Sequence, residues 1–212
     1  QYIIPGSLSN PNFLVNYVPG VLEISPAPVS ISANAGQSKI YSTSDPIFTY
    51  TNNALLVETD FTGKLGRISG ENVGSYNYNL GDLSAGTNYT LNLSANGSTF
   101  AITPKAITVS ADANQSKTYG SSDPVFTFTS NDPNAIFSGA LGRVAGNNVG
   151  VYNFTIGNLS AGSNYSIQLI GSNKFQITQT ALTIKANDQV ISTGDALPAF
   201  TSTFTGLKYN DL

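Results

Sequence analysis

One block of this chain is written twice. Gly63–Tyr78 reads GKLGRISGENVGSYNY and Gly139–Phe154 reads GALGRVAGNNVGVYNF, with 10 of 16 positions identical. Shorter blocks recur around it in the same order. KIYSTSDPIFTY (Lys39–Tyr50) returns as KTYGSSDPVFTF (Lys117–Phe128), LSAGTNYTLNL (Leu83–Leu93) as LSAGSNYSIQL (Leu159–Leu169), and STFAIT (Ser98–Thr103) as NKFQIT (Asn173–Thr178). The offset is 78 at Lys39/Lys117, 76 at Gly63/Gly139 and 75 at Phe100/Phe175, so length changes fall between the blocks, where surface loops absorb them. Internal repetition overrides the one- or two-domain prior that 212 residues would suggest. The chain divides into a C-terminal remnant of a preceding repeat (1–25), two full repeats (26–103 and 104–178) and the N-terminal part of a following repeat (179–212).

The hydrophobic period within each repeat is two. Ile107, Val109 and Ala111 alternate with Thr108 and Ser110; Tyr152, Phe154 and Ile156 alternate with Asn153 and Thr155. Strict alternation reads as half-buried strands, punctuated here by Gly, Asn, Asp and Ser turns. Each repeat gives two N-terminal strands, a variable connector and about three C-terminal strands. Short helical segments are best accommodated at 53–59 and 132–138, in the connector. The expected class is therefore all-β, or mostly β. Modules of about 75 residues favour small β-grasp-like units in an elongated rod. An immunoglobulin-like sandwich, which usually takes about seven strands and roughly 100 residues, is the alternative. Neither junction, Pro104-Lys105 nor Gln179-Thr180, resembles a flexible Gly/Ser linker, so stiff joints are expected. The partial repeats at the two ends expose strand edges, which should pair with a repeat, with each other or with another molecule.

Composition removes several functional classes. There is no Cys, His, Met or Trp. Thiol chemistry, Ser-His catalysis and the usual zinc, copper and haem sites need residues this chain lacks. Asn, Ser and Thr make up roughly a third of the residues, yet 11 Tyr and 11 Phe and a net charge of -3 point to folded rather than disordered modules. No apolar run approaches the ~20 residues of a membrane-spanning helix, so no membrane insertion is expected. The acidic balance offers no basic patch for nucleic acid. No signal peptide opens the chain, as expected of a mature protein or an excised piece. A glycosidase would need a facing carboxylate pair. Only Asp45/Asp123 recurs, whereas Glu71 becomes Asn147 and Asp82 becomes Asn158. No enzyme activity and no cofactor are expected. The junctions hold no acidic run of calcium-loop spacing, so no metal is expected either.

The recurring polar residues carry two readings each. Arg67 and Arg143, the only arginines, are the candidate ligand contacts, because a guanidinium is a rigid donor fork for anions or glycans. The structural reading bonds them to a loop carbonyl or to Asp45 and Asp123. Asp45-Pro46 and Asp123-Pro124 read as turns in which Asp accepts backbone N–H bonds. Gly70, Gly74, Gly146 and Gly150 read as sites of positive φ or a bulge. Tyr76 and Tyr152 sit on the apolar phase of their strands and read as core.

Together, YGxxDPxxTFT, GxLxRxxGxNVGxYxF, LSAGxNYxI and FxIT resemble the MBG domain repeats of large bacterial surface and secreted proteins. The second repeat carries the pattern at Tyr119-Gly120, Asp123-Pro124, Arg143, Gly146, Asn148-Val149-Gly150, Tyr152 and Leu159–Tyr165. The first carries it at Tyr41, Asp45-Pro46, Arg67, Gly70, Asn72-Val73-Gly74, Tyr76 and Leu83–Tyr89, with Ser42 in place of the glycine. The third fragment departs further, with Ser192-Thr193-Gly194 and Leu197-Pro198 at the corresponding places. The resemblance implies an extracellular, adhesin-type setting and brings no catalytic residues. The expected role is a structural spacer forming a stiff stalk, with neighbouring repeats as partners. The alternative is a module that binds surface glycan or mucin weakly and gains strength by avidity.

Overall fold

In the computed structural model, residues 2–3, 6, 10–95, 97–209 and 211 are described. The chain forms two compact units, Gln1–Thr103 and Pro104–Leu212. Among the described residues the regular structure is β, and the one helical element is a single 3₁₀ turn, Glu58–Asp60.

The first unit opens with an antiparallel pair, β1 (Tyr2–Ile3) and β2 (Gly20–Val21). Seven strands follow: β3 (Ala27–Ala33), β4 (Ser38–Ile40), β5 (Tyr50–Asn52), β6 (Gly66–Arg67), β7 (Gly74–Asn79), β8 (Tyr89–Leu93) and β9 (Thr99–Thr103). They make two mixed sheets, ordered β5-β3-β8 and β4-β9-β7-β6. In the first, β3 runs parallel to β8 and antiparallel to β5; in the second, β9 runs parallel to β4 and antiparallel to β7.

The second unit repeats this plan with β10 (Lys105–Ala111), β11 (Ser116–Thr118), β12 (Phe128–Ser130), β13 (Gly142–Arg143), β14 (Gly150–Thr155), β15 (Tyr165–Ile170) and β16 (Lys174–Thr178). Its sheets are ordered β12-β10-β15 and β11-β16-β14-β13. A last antiparallel pair joins β17 (Thr183–Ala186) to β18 (Ser202–Thr205).

The alternation seen in the sequence is the inward phase of the central strands. Val29, Ile31 and Ala33 on β3 are buried, as are Phe100 and Ile102 on β9, and with Phe48, Leu65 and Tyr78 they form one core shared by both sheets. Phe100 and Phe175 are fully buried, and each packs edge-on against a second ring, Phe48 at 5.0 Å and Phe126 at 5.1 Å between centroids. Burying a ring of this size supplies much of a small module's stability.

The structure corrects two expectations. Seven strands per repeat replace the five read from periodicity, because β4, β6, β11 and β13 are only two or three residues long and hold polar residues or glycine. The segments 53–59 and 132–138 form no α-helix. Asn52 accepts from the Ala54 N–H through Oδ1 and donates to the Leu56 carbonyl through Nδ2, so its side chain takes backbone groups a helix would need. Asp132 does the same to the Asn134 N–H. The strand fragments at the two ends pair within themselves, as β1 with β2 and β17 with β18. The last fragment also touches the second repeat: the Tyr119 hydroxyl donates to Asp211 at 2.6 Å, and the Tyr119 and Tyr209 rings meet edge-on at 5.3 Å.

Truncating the most buried ring tests the shared core. Phe175→Ala should destabilise the second repeat by about 3–5 kcal/mol, enough to unfold a module of this size, whereas Leu55→Ala at an exposed position should stay within about 0.5 kcal/mol of the parent. Urea unfolding followed by tyrosine fluorescence reads both.

Candidate functional site

Three short elements bring the recurring charged residues of the first repeat together. Lys39, the middle residue of β4, lies opposite Ile102 of β9 and points inward. A tight turn follows, closed by the Thr43 N–H on the Ile40 carbonyl, with Ser42 at φ 69°. It delivers Asp45. Arg67 ends β6, opposite Tyr78 of β7. The Arg67 guanidinium grips Asp45 with two bonds, Nε to Oδ2 at 2.6 Å and Nη2 to Oδ1 at 2.9 Å. Its Nη1 donates to the carbonyls of Ile68 (3.1 Å) and Gly70 (2.6 Å), and Nη2 donates also to Glu71 at 2.7 Å. All five donors of the fork are thus matched. Lys39 Nζ reaches Asp45 Oδ1 at 2.8 Å and pairs with the other oxygen of Glu71. Both cationic side chains are almost fully buried, at 4% and 5% exposure.

Aromatic rings hold the fork from its faces. The Arg67 guanidinium carbon lies 4.9 Å from the Tyr76 ring centre and 5.3 Å from that of Phe100. This geometry favours a cation over the negative face of a ring. Tyr76 in turn closes the loop before β7. Its hydroxyl donates to the Asn72 carbonyl at 2.7 Å, and its ring lies so close to Gly70 (φ 152°) that a Cβ there would sit 2.3 Å from Cε1. The second repeat reproduces the arrangement. Arg143 bonds Asp123 at 2.7 and 2.9 Å and the Val144 and Gly146 carbonyls at 3.0 and 2.7 Å, while Tyr152 donates to the Asn148 carbonyl at 2.7 Å.

The candidate residues therefore converge: Asp45, Arg67, Gly70 and Tyr76 in one cluster, Asp123, Arg143, Gly146 and Tyr152 in the other. Two local expectations are corrected. The carboxylates of Asp45 and Asp123 face side-chain cations, not the backbone N–H groups of their own turns. Gly74 opens β7 without a positive φ, whereas its counterpart Gly150 has one, 158°; Gly70 and Gly146 are the glycines that the tyrosine rings require. Lys39 and Lys117 belong to the site although sequence reading passed over them. Their signal was a lysine recurring six residues before each Asp-Pro, within a strand. Among the described residues, no group of three or more acidic side chains is placed to hold a metal ion.

The electrostatics follow from this packing. The side-chain bonds from Arg67 and Arg143 hold Asp45 and Asp123 below the usual carboxylate range, outweighing the opposing effect of partial burial. Bonds from Lys39 and then Arg67 do the same for Glu71. Burial works to lower the Lys39 ammonium, but its bonds to Asp45 and Glu71 together raise it.

A carboxylate whose pKa is depressed on folding contributes stability that is complete above its unfolded value, near 3.8 for aspartate, and is lost as pH falls through the folded value. Thermal stability should accordingly be flat from neutral pH to about pH 4 and drop below it. The double variant Asp45→Asn/Asp123→Asn should be less stable at neutral pH and should lose most of that acid limb; an unchanged limb would assign it to other carboxylates. For the tyrosine loop, Gly146→Ala should cost about 1–3 kcal/mol through the clash with Tyr152 and the unfavourable φ, and Tyr152→Phe about 0.5–1.5 kcal/mol through the lost bond. Chemical denaturation measures both.

Comparison with known proteins places this cluster in a family context. The family model described as MBG domain (YGX type) matches at residues 29–100 and again at 107–176, so each match runs from within the first to within the seventh strand of one repeat and includes one Arg-Asp-Tyr cluster. No curated protein and no solved structure matches the chain significantly. With the family model covering about two thirds of the residues in two tandem copies, the chain belongs to the MBG domain family.

Proposed function

We propose that these modules are spacers of a bacterial extracellular, adhesin-type protein, stacked into a stiff stalk that carries an adhesive or catalytic part away from the cell surface. The single observation that carries this reading is the joint. β9 ends at Thr103 and β10 starts at Lys105, so one proline separates the last strand of one repeat from the first strand of the next. Proline fixes φ and leaves little freedom at the junction. The reading is non-catalytic, consistent with membership of a repeat family and with a recurring polar cluster whose donors and acceptors bond mainly to one another. Weak glycan binding with avidity is the competing reading. It requires exposed rings in each repeat, and Tyr76 and Tyr152 instead lie against Arg67 and Arg143.

The absence of cysteine makes the test direct, because two introduced thiols label specifically. Spin labels at Leu55→Cys and Ile136→Cys, both exposed and one in each repeat, should give a narrow distance distribution by pulsed electron resonance. Replacing Pro104 by a Gly-Ser-Gly-Ser segment should broaden it. A distribution already broad in the parent chain would remove the stalk.

A further inference from the structure

The two clusters differ at one position that matters chemically. In the first repeat the Glu71 carboxylate bridges the two buried cations, one oxygen on Arg67 Nη2 and the other on Lys39 Nζ. Two cations face two anions there. In the second repeat Asn147 stands at that place, exposed to solvent, in a loop of the same design: Gly146 has the same φ of 152° as Gly70, and Tyr152 closes it with the same 2.7 Å bond. Among the described residues, Asp123 is then the one carboxylate paired with either Lys117 or Arg143. The cluster carries two cations and one anion.

The cations remain buried, Lys117 at 6% and Arg143 at 7% side-chain exposure. The Arg143 bonds to Asp123, Val144 and Gly146 occupy four of the five guanidinium N–H groups, and Lys117 gives one bond to Asp123 out of three it can make. The donors that find no acceptor among the described residues lie where the first repeat directs the same atoms at Glu71. Buried cationic donors without a full set of acceptors are costly, so an anion that completes the set gains more here than at an exposed lysine. Asp211, beside Tyr119, accepts from the Tyr119 hydroxyl.

We propose that Lys117 and Arg143 form a receptor for a carboxylate supplied from outside the repeat, presented as Glu71 presents its own: a glutamate side chain of an acidic protein segment. The first repeat is the closed form of the same site, with its ligand built in. The proposal is independent of the stalk reading, since a rigid spacer can carry a docking point and a flexible one can as well.

The experiment is an NMR titration of the 212-residue chain with three probes: a blocked glutamate-containing peptide, glucuronic acid and sodium sulfate. The peptide should shift the amides of Gly146–Val149 and the Arg143 side-chain signal, saturating at about millimolar concentration. Asn147→Glu grafts the residue that the first repeat already accommodates, so it should fold, and should weaken binding about tenfold or more. Glu71→Asn should open a second site and add shifts at Gly70–Val73. No saturable shift in the parent chain, or unchanged binding in Asn147→Glu, would overturn the proposal. A failure of Glu71→Asn to gain a site would also overturn it, because the first repeat would then be no template. Glucuronic acid binding where the peptide does not would transfer the site to acidic glycan and reject the protein partner. Sulfate binding as well as the peptide would mark a general anion site and reject carboxylate recognition.

Discussion

A buried guanidinium that must have every donor matched organises each repeat. Removing an arginine from water costs several kcal/mol unless its charge and its N–H groups are all met inside the protein. Arg67 meets this demand from four directions at once: Asp45 in front, the Ile68 and Gly70 carbonyls at one side, Glu71 at the other, and the Tyr76 and Phe100 rings on its faces. Asp45 and Phe100 come from distant stretches of chain, whereas Ile68, Gly70 and Glu71 belong to the loop that follows Arg67 itself. Strand β6, only two residues long, would have little reason to hold its register by its own ladder, yet the bonds of Arg67 fix it against the loop after β4 and the turn before β7. The motif reads as scattered single residues in the sequence because these are the few points at which the chain must return to one cation.

The same logic explains which parts of the structure could be read in advance. The long strands were legible because Val29, Ile31 and Ala33 or Ile107, Val109 and Ala111 alternate with hydroxyl side chains, and burial enforces that phase. The short strands were not. β4 and β11 have a lysine at their centre, and a lone polar residue gives no period to follow. Its inward direction depends on Asp45 or Asp123 arriving from the next loop, which is tertiary information. The connector failed for a related reason. Asn52 and Asp132 offered their side chains to backbone groups within two to four residues, and that local competition outweighed weak helix propensity over seven residues. In the site, the link between arginine and Asp-Pro was open to sequence reasoning as an option. The lysine left only its recurrence six residues before Asp-Pro, and its link to Glu71 was not open, since no spacing rule connects residue 39 to residue 71.

Repetition with variation also separates what a module needs from what it merely has. Asp132, nearly buried, pairs with Lys105 at 2.7 Å in the second repeat. The first repeat holds Ala27 and Ala54 at the equivalent places, opposite Tyr89 as Lys105 is opposite Tyr165. Both members of the pair change together, so neither repeat is left with a buried charge alone. A lone Asp132 would be the unfavourable case, because the carboxylate would stay in the interior with no cation beside it. The fold thus accepts an ion pair or two methyl groups at this place, and the pair serves local fit rather than the identity of the module.

Glu71 and Asn147 break that pattern, and the break is informative. Here one member of a charged group changes while Lys117, Asp123 and Arg143 stay, so the second repeat keeps a buried cation pair with a single counter-charge among the described residues. If the cluster served only to hold the loop, a change at the fourth corner would be expected to bring a compensating change, as at 105 and 132. None of the three remaining partners compensates: lysine, aspartate and arginine occupy the same positions in both repeats. The excess charge is reachable from outside, because the fourth corner is the exposed Asn147, although Lys117 and Arg143 are themselves buried. It is also directed, because the atoms that carry it are held by the same rings and carbonyls as in the first repeat. In an array whose shared residues are committed to the fold, a docking point would reside where the copies differ, and this is a difference at which buried donors find no full set of acceptors among the described residues.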